Sequence, residues 1–236
     1  MTGVEGNTGV QTEVLGDPVQ ETNCRRWLVV LALPHLGDNS IEVGSGLGHY
    51  AAERPEVCEA RWTASEADQS RLAALKERFR GHQTVRVRKM SVPIDETAEH
   101  SSVVAYNGLE HISDDVAALR AFAGVPRPRG ALVLVVPAFP SAMSRFDLQI
   151  GHKRGDRKRS LRAAVDAAGL RVEVLDHINC IGMLGRFVLI KGFRGRPHAG
   201  RALIAYDRGV VPWLRPAEAG VKPPLGQSLF LVAHKQ

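Results

Sequence analysis

Ile41-Glu42-Val43-Gly44-Ser45-Gly46-Leu47-Gly48 joins an apolar strand, a carboxylate and three alternating glycines within eight residues. A strand running straight into Gly-x-Gly-x-Gly needs a turn whose backbone approaches a ligand closely, which residues lacking Cβ permit. A helix starting near Leu47 would aim its free N–H groups at the same place. Spacing then separates ligand classes. Dinucleotide turns require Gly-x-Gly-x-x-Gly with a small third position; counted from Gly44 and Gly46, that position is His49. What remains is acid-x-Gly-x-Gly-x-Gly, with a second acid, Glu66, 22 residues after Gly44 at the end of the apolar segment Ala60 to Ala64. An acid there can accept both hydroxyls of a ribose. Glu42 has no role with a pyrophosphate but suits an ammonium group. S-adenosylmethionine (SAM) has a ribose, an ammonium and no phosphate.

The elements that must position these residues alternate between strand and helix. A helix within Gln20 to Leu36 carries Trp27, Val30 and Leu31 at helical spacing and would cover the glycine loop. Strand two spans Ala60 to Ala64, and a helix from about Asp68 presents Leu72, Leu75 and Phe79 before Gly81 ends it. Strands three and four are Val85 to Arg88 and Ser102 to Tyr106. Ser113 is the expected N-cap of a helix with Val116, Leu119 and Ala123 inward. The run Ala131 to Val136 is apolar throughout, as a central strand covered on both faces should be. A helix over Ser160 to Ala168, a sixth strand over Arg171 to Leu175 and a last strand over Ser228 to Ala233 complete the order. This pattern predicts an α/β, doubly wound, Rossmann-like, mostly parallel sheet in a single domain over residues 17–236, preceded by a disordered stretch over residues 1–16. Residues 181–226, with apolar patches at 181–189 and 203–214, read as a helical insert before the last strand, serving as a lid or substrate wall, with plain core or a dimer surface as the alternative.

At the glycine loop and Glu66 the chain resembles motif I and the motif II acid of the class I SAM-dependent methyltransferases. Tyr106-Asn107-Gly108-Leu109-Glu110-His111-Ile112 is similar to that family's motif after strand four, which faces the methionine half of the cofactor. Arg127-Pro128-Arg129-Gly130 resembles its Leu-x-Pro-Gly-Gly motif, with Arg129 where a glycine is common. Phe146-Asp147, Gly151-His152-Lys153-Arg154 and Arg159-Ser160-Leu161 are similar to a bacterial subgroup found beside or fused to glycosyltransferases, except that both of its usual tyrosines are replaced, by Lys153 and Gly155. The resemblance implies a seven-stranded sheet with an antiparallel last strand. It also implies SAM contacts at Glu42, Gly44, Ser45, Gly46, Gly48, Tyr50, Glu66, Met90, Ser91, Val92, Asn107 and Gly108. Met90 would pack on the adenine and Ser91 would accept one hydrogen bond in place of the family's acid. His111, beside the expected methyl, is the first candidate general base, since an imidazole titrates near neutral pH; a loop-tying role is its alternative. His152 is the second candidate. Tyr50 and Tyr106 would either flank the sulfonium or serve as packing residues.

Composition limits the remaining readings. With 236 residues, 44% hydrophobic and 24% charged, the chain has the size and make-up of one globular domain. Its longest apolar runs stop at prolines far short of a membrane span, and its first twenty residues lack a secretory pattern. Three cysteines without metal-ligand spacing suggest a reduced, cytoplasmic protein with no metal site. The net charge of +6 concentrates between Lys153 and Arg162, where six Lys or Arg face one acid, Asp156. That segment suits phosphates or is a solvated helix start, and no aromatics interleave it for base stacking. The expected function is therefore SAM-dependent methylation of a small molecule, such as a specialised metabolite or sugar-bearing intermediate. Three alternatives stay open: an RNA methyltransferase using residues 153–162, a SAM-dependent cyclisation or rearrangement enzyme, and a non-catalytic partner subunit. A homodimer is compatible with all of these.

Overall fold

The structure, a computed structural model, describes residues 21–54, 59–92, 94, 99–138, 156–185 and 201–235. The stretch over residues 1–16, the loop holding Phe146 to Gly155 and the apolar residues 186–189 lie outside them. Seven strands form one sheet: β1 Asn39–Val43, β2 Arg61–Glu66, β3 Val85–Lys89, β4 His100–Tyr106, β5 Pro126–Pro137, β6 Leu170–Ile178 and β7 Ser228–Lys235. Their spatial order is β3-β2-β1-β4-β5-β7-β6. Pairings from β3 across to β5 are parallel, and β7 runs antiparallel between β5 and β6. This is the α/β, doubly wound sheet with an antiparallel last strand that the alternating pattern and the family resemblance imply.

Both faces of the sheet are covered, which explains why β4 is buried throughout and why β5 is buried from Ala131 to Val136. On one face, Ile41, Val103, Leu132, Leu134 and Leu231 pack with Leu119 and Phe122 of α4 (Asp115–Gly124) and Leu161 and Val165 of α5 (Lys158–Ala167). On the other, Trp62, Val104, Val133 and Val232 pack with Val29 and Ala32 of α1 (Thr22–Ala32) and Leu75 of α3 (Gln69–Arg78). The short α2, His49–Glu53, starts two residues later than the expected position near Leu47, because Gly48 takes a left-handed conformation at its N-cap. Asp114, not Ser113, caps α4, its carboxylate accepting from the Ala117 amide at 2.9 Å. The two candidates are adjacent, and sequence preference does not separate serine from aspartate at an N-cap.

The insert between β6 and β7 contains a helical segment over 180–185, α6 (Arg201–Gly209) and α7 (Val211–Gly220). Two buried carboxylates dock it. Asp207 on α6 accepts from the Asn23 and Cys24 amides at 3.0 and 2.8 Å, capping α1 from more than 180 residues away. Glu218 on α7 accepts from the Asn179 and Cys180 amides, both at 2.9 Å, and so caps the 180–185 segment. Each satisfies amide donors that have no partner within their own helix. Burial pushes the Cys24 thiol at this junction up to about 12, so it stays protonated.

The Arg127-Pro128-Arg129-Gly130 motif forms the entry to β5, extending that strand five residues upstream of the apolar run at 131–136. Arg129 adopts φ +69°, and a Cβ on Gly130 would meet Pro126 Cβ at 2.5 Å and the Ser101 carbonyl at 2.6 Å. The turn thus demands glycine at 130 by contact and favours it at 129 by conformation. Relief of about 1–2 kcal/mol of left-handed strain outweighs the roughly 0.5–1 kcal/mol of extra chain entropy that glycine loses. R129G should therefore raise the unfolding midpoint by a few degrees in a thermal melt; an unchanged or lower midpoint would refute this account of the turn.

Candidate functional site

Strand order reverses between β1 and β4, which are parallel neighbours in the sheet while β2 and β5 lie on their outer sides. In such sheets the crevice for a ligand opens at the carboxyl ends of these central strands. The loops that meet there are 44–48 after β1 and 107–111 after β4. Gly44, Gly46 and Gly48 have φ of +76°, +58° and +78°, a region open to glycine at little steric cost. Their reasons differ. A Cβ on Gly48 would strike Leu75 Cδ1 and Phe79 Cε2, both at 2.6 Å, so this glycine lets α3 close on the loop. A Cβ on Gly44 would meet nothing within 4 Å, leaving open space in front of the backbone. Across the crevice Asn107 also has a positive φ, +51°, with its amide held by the Val135 carbonyl at 2.8 Å. Asparagine is among the few residues besides glycine that adopt this conformation readily.

Glu66, at the end of β2, fixes the shape of the glycine loop. Its Oε2 accepts from the Gly46 amide at 2.9 Å, while Oε1 accepts from the Ala67 and Asp68 amides at 2.9 Å each and from Arg71 Nη2 at 3.2 Å. The sequence alone suggests that this carboxylate could serve both hydroxyls of a ribose. With three donors on Oε1, room for a ligand hydroxyl remains on Oε2. Ser45 also holds the loop to β2: its amide donates to the Ser65 carbonyl at 2.8 Å and its Oγ accepts from the Ser65 amide at 3.1 Å.

Glu42 lies inside the protein. Its β1 position pairs with Ala64, which puts Trp62, two residues back on β2, on the same face. Trp62 Nε1 donates to Glu42 Oε2 at 3.2 Å, and the Arg54 guanidinium sits over the indole ring at 5.2 Å. Burial pushes Glu42 up to about 8, against the opposing effect of the bonds from Trp62 and Ser45. Beside it Tyr50 and Tyr106 stack on each other at 4.2 Å between ring centroids. One face of each ring is therefore already covered. Asn107 Nδ2 donates to the Tyr50 hydroxyl at 3.3 Å. The buried Tyr106 hydroxyl has no hydrogen-bond partner among the described residues.

Met90 is buried in the core and its Sδ receives the Ser65 hydroxyl at 3.7 Å; Ser91 is exposed, and Val92 packs at the edge of the core. Gly108 has 3.8 Å of clearance to Ala105 Cβ and to the Val43 carbonyl, at the seam between the two loops. His111 ends a 3-10 turn, Leu109–His111, partly buried and four residues past Asn107. His152 lies outside the described residues. The structure thus gathers Glu42, the glycines, Tyr50, Glu66, Asn107, Gly108 and His111 at one edge of the sheet. Sequence reasoning missed Trp62 and Arg71. Trp62 shows its role only once the register of β1 and β2 is known, which sets the indole two residues before the position that pairs with Glu42. Arg71, five residues after Glu66 next to an apolar helix face, carries no comparable signal.

These residues fit SAM. The open space before Gly44 admits a close backbone approach, and the partnerless Tyr106 hydroxyl beside Glu42 leaves one buried polar group to satisfy. Glu42 supplies a pH signature of its own. It keeps its proton in the folded protein and loses it in the unfolded chain at ordinary carboxylate pH. Its contribution to stability is therefore full below that range and is lost as pH rises through about 8. In urea titrations from about pH 5 to about pH 9, wild-type stability should fall by up to a few kcal/mol more than that of E42Q. Parallel pH profiles for the two proteins would contradict the assignment.

A family model described as a methyltransferase domain matches residues 41–134, the segment from the glycine-loop strand to β5. No curated protein matches the sequence. Among solved structures, geranyl diphosphate C-methyltransferase from Streptomyces coelicolor A3(2), in complex with Mg2+, geranyl diphosphate and S-adenosyl-L-homocysteine, superposes with a TM-score of 0.61 at 14% identity, covering 88% of this chain and 78% of that one. The [4+2]-cyclase SpnF gives 0.59 at 16% identity over 89% and 80%. A sarcosine dimethylglycine methyltransferase from Galdieria sulphuraria gives 0.60 at 16% identity over 90% and 84%. These likenesses share the fold, and the match to a methyltransferase domain over residues 41–134 falls on the strands and loops that build the site.

Proposed function

We propose that the chain methylates a small-molecule acceptor at the crevice between the loops after β1 and β4. The observation that supports this reading most is the open, left-handed Gly44 turn flanked by Glu42, Glu66 and Asn107. In this reading Glu66 Oε2 takes a ribose hydroxyl, and Gly44, Ser45, Gly46 and Gly48 let the loop backbone approach the ligand. Met90, Ser91 and Val92 border the adenine, and Tyr50, Asn107 and Gly108 border the methionine half. Glu42 gives up its proton on meeting an ammonium, so binding releases a proton below about pH 8. Bound SAM supplies a methyl carbon for in-line displacement by the acceptor, and the chain's own contribution is positioning and proton handling. His111 holds the acceptor proton, with His152 as the second candidate. The acceptor class is a specialised metabolite or sugar-bearing intermediate of a bacterial, cytoplasmic pathway.

Two observations bear on competing readings. In the described part of the basic segment, Lys158 pairs with Asp176 at 3.8 Å and Arg157 stands at the N-cap position of α5, its amide donating to Ser160 Oγ at 2.9 Å, which fits a helix start better than an RNA track. The likeness to a [4+2]-cyclase keeps rearrangement as a second reading, since shared folds host different chemistry. Incubation of the enzyme with methyl-labelled SAM and a fractionated bacterial extract separates them. Label is expected in the small-molecule fraction, and H111A should lower kcat by roughly 10²–10⁴-fold without weakening S-adenosylhomocysteine binding. Label in RNA, or a converted product that gains no methyl mass, would overturn the proposal.

A further inference from the structure

α7 is apolar on its outer side as well as its inner one. Its single carboxylate, Glu218, faces inward, alongside Val211 and Leu214 packed on Trp27 of α1. Its outer side carries Trp213, Pro216, Ala217 and Gly220, with Val221 just beyond, at spacings of i, i+3, i+4, i+7 and i+8, all exposed. Trp213 is 79% exposed and Val221 76%. Arg215 is the one exposed charge within the helix. A helix on a globular protein ordinarily keeps its outer side polar or charged. The large hydrophobics that stand exposed among the described residues are Ile181, Leu184, Trp213, Val221 and Leu225, and all belong to the insert. Clustered exposure of this kind marks an interaction surface.

Charge selects the occupant. Between residues 179 and 227 the sequence holds eight Lys or Arg and two acids, Asp207 and Glu218. Both acids are buried and engaged with helix-terminal amides. Among the described residues the insert shows Arg208, Arg215 and Lys222 to its surroundings, the last also paired with Asp176 at 3.7 Å. Beside the apolar stripe lies a groove of about 380 Å³ lined by Asn23, Arg26, Val211, Pro212, Arg215 and Pro216. It brings two guanidinium-bearing side chains to the border of the stripe, Arg26 also meeting Glu53 at 3.4 Å. A second copy of the chain would set this cationic rim against itself. A projecting tryptophan among Pro, Ala and Gly presents little relief for a folded protein to match, and a fluid bilayer needs none. Among the described residues no helix is long and apolar enough to cross a membrane, so the contact is interfacial.

We infer that the outer face of α7 docks on an anionic phospholipid surface, with Trp213 entering the boundary between headgroups and acyl chains and Arg26 and Arg215 facing lipid phosphates. The inference stands apart from the methyl-transfer reading and survives its failure. The chain has three tryptophans, and Trp27 and Trp62 are 2% and 1% exposed. A change in tryptophan emission on adding lipid therefore reports Trp213. The full chain is titrated with vesicles of phosphatidylglycerol and phosphatidylcholine, and with vesicles of phosphatidylcholine alone. Anionic vesicles should shift the emission to the blue, shield it from acrylamide and co-sediment the protein, with all three effects weakening as salt rises. W213A should abolish the shift and reduce sedimentation. R26A and R215A should each weaken vesicle binding roughly fivefold, while R215K binds like wild type. Absence of binding by folded protein, equal binding to neutral vesicles, or a lipid-free blue shift with a doubled mass would each overturn the inference, the last by assigning the face to a second copy.

Discussion

The carboxylate of Glu66 is the point where the glycine loop, the turn after β2 and the start of α3 are tied together. It is buried and accepts from three backbone amides and one guanidinium. An isolated carboxylate at such depth would carry a large desolvation cost, and multiple charge-assisted bonds offset it. The Gly46 bond matters most for function, because it sets the direction of a loop whose glycines have no side chains to hold them. Gly48 then allows α3 to press on that loop, and Gly44 leaves its front open. Without the Gly46 bond the turn would be held by Ser45 on Ser65 and by Arg78 Nη1 on the Leu47 carbonyl, leaving Gly46 itself untethered to β2.

The same device recurs at the insert. Asp207 and Glu218 each spend a carboxylate on the exposed amides of a helix or segment distant in sequence, as Glu66 does for the loop. The outcome at the surface differs. Glu66 brings Arg71 with it and leaves a neutral pair, whereas the two insert acids turn inward while their cationic neighbours stay outside. One pattern of buried capping thus produces both a held glycine turn and a one-signed exterior on the described part of the neighbouring helices. The apolar stripe of α7 sits within that exterior.

The glycine loop could be read from sequence because its chemistry is backbone geometry: three left-handed turns require three residues without Cβ, and they occur at fixed spacing. The strands were legible for a related reason, since β4 and the 131–136 run are apolar enough to be buried on both faces. Legibility fails where a partner comes from elsewhere in the chain. The Trp62 indole reaches Glu42 diagonally across β1 and β2, a contact visible only once the register is known. Asp207 reads as an ordinary surface acid until α6 is seen against the start of α1. Tyr50 and Tyr106, candidates for a cation, cover one face of each other, which no spacing of 56 residues foretells. Arg129 shows the opposite case: the departure from the family motif was plain in the sequence, and its left-handed φ explains why a glycine is common there.

The central claim is that the turn held by Glu66 is a SAM site, and calorimetric titration of the full chain with S-adenosylhomocysteine tests it most directly. The account expects saturable binding of one equivalent, with proton release at neutral pH seen as a dependence of the heat on buffer ionisation enthalpy. Protein that is folded by circular dichroism yet shows no binding of S-adenosylhomocysteine or SAM would contradict it.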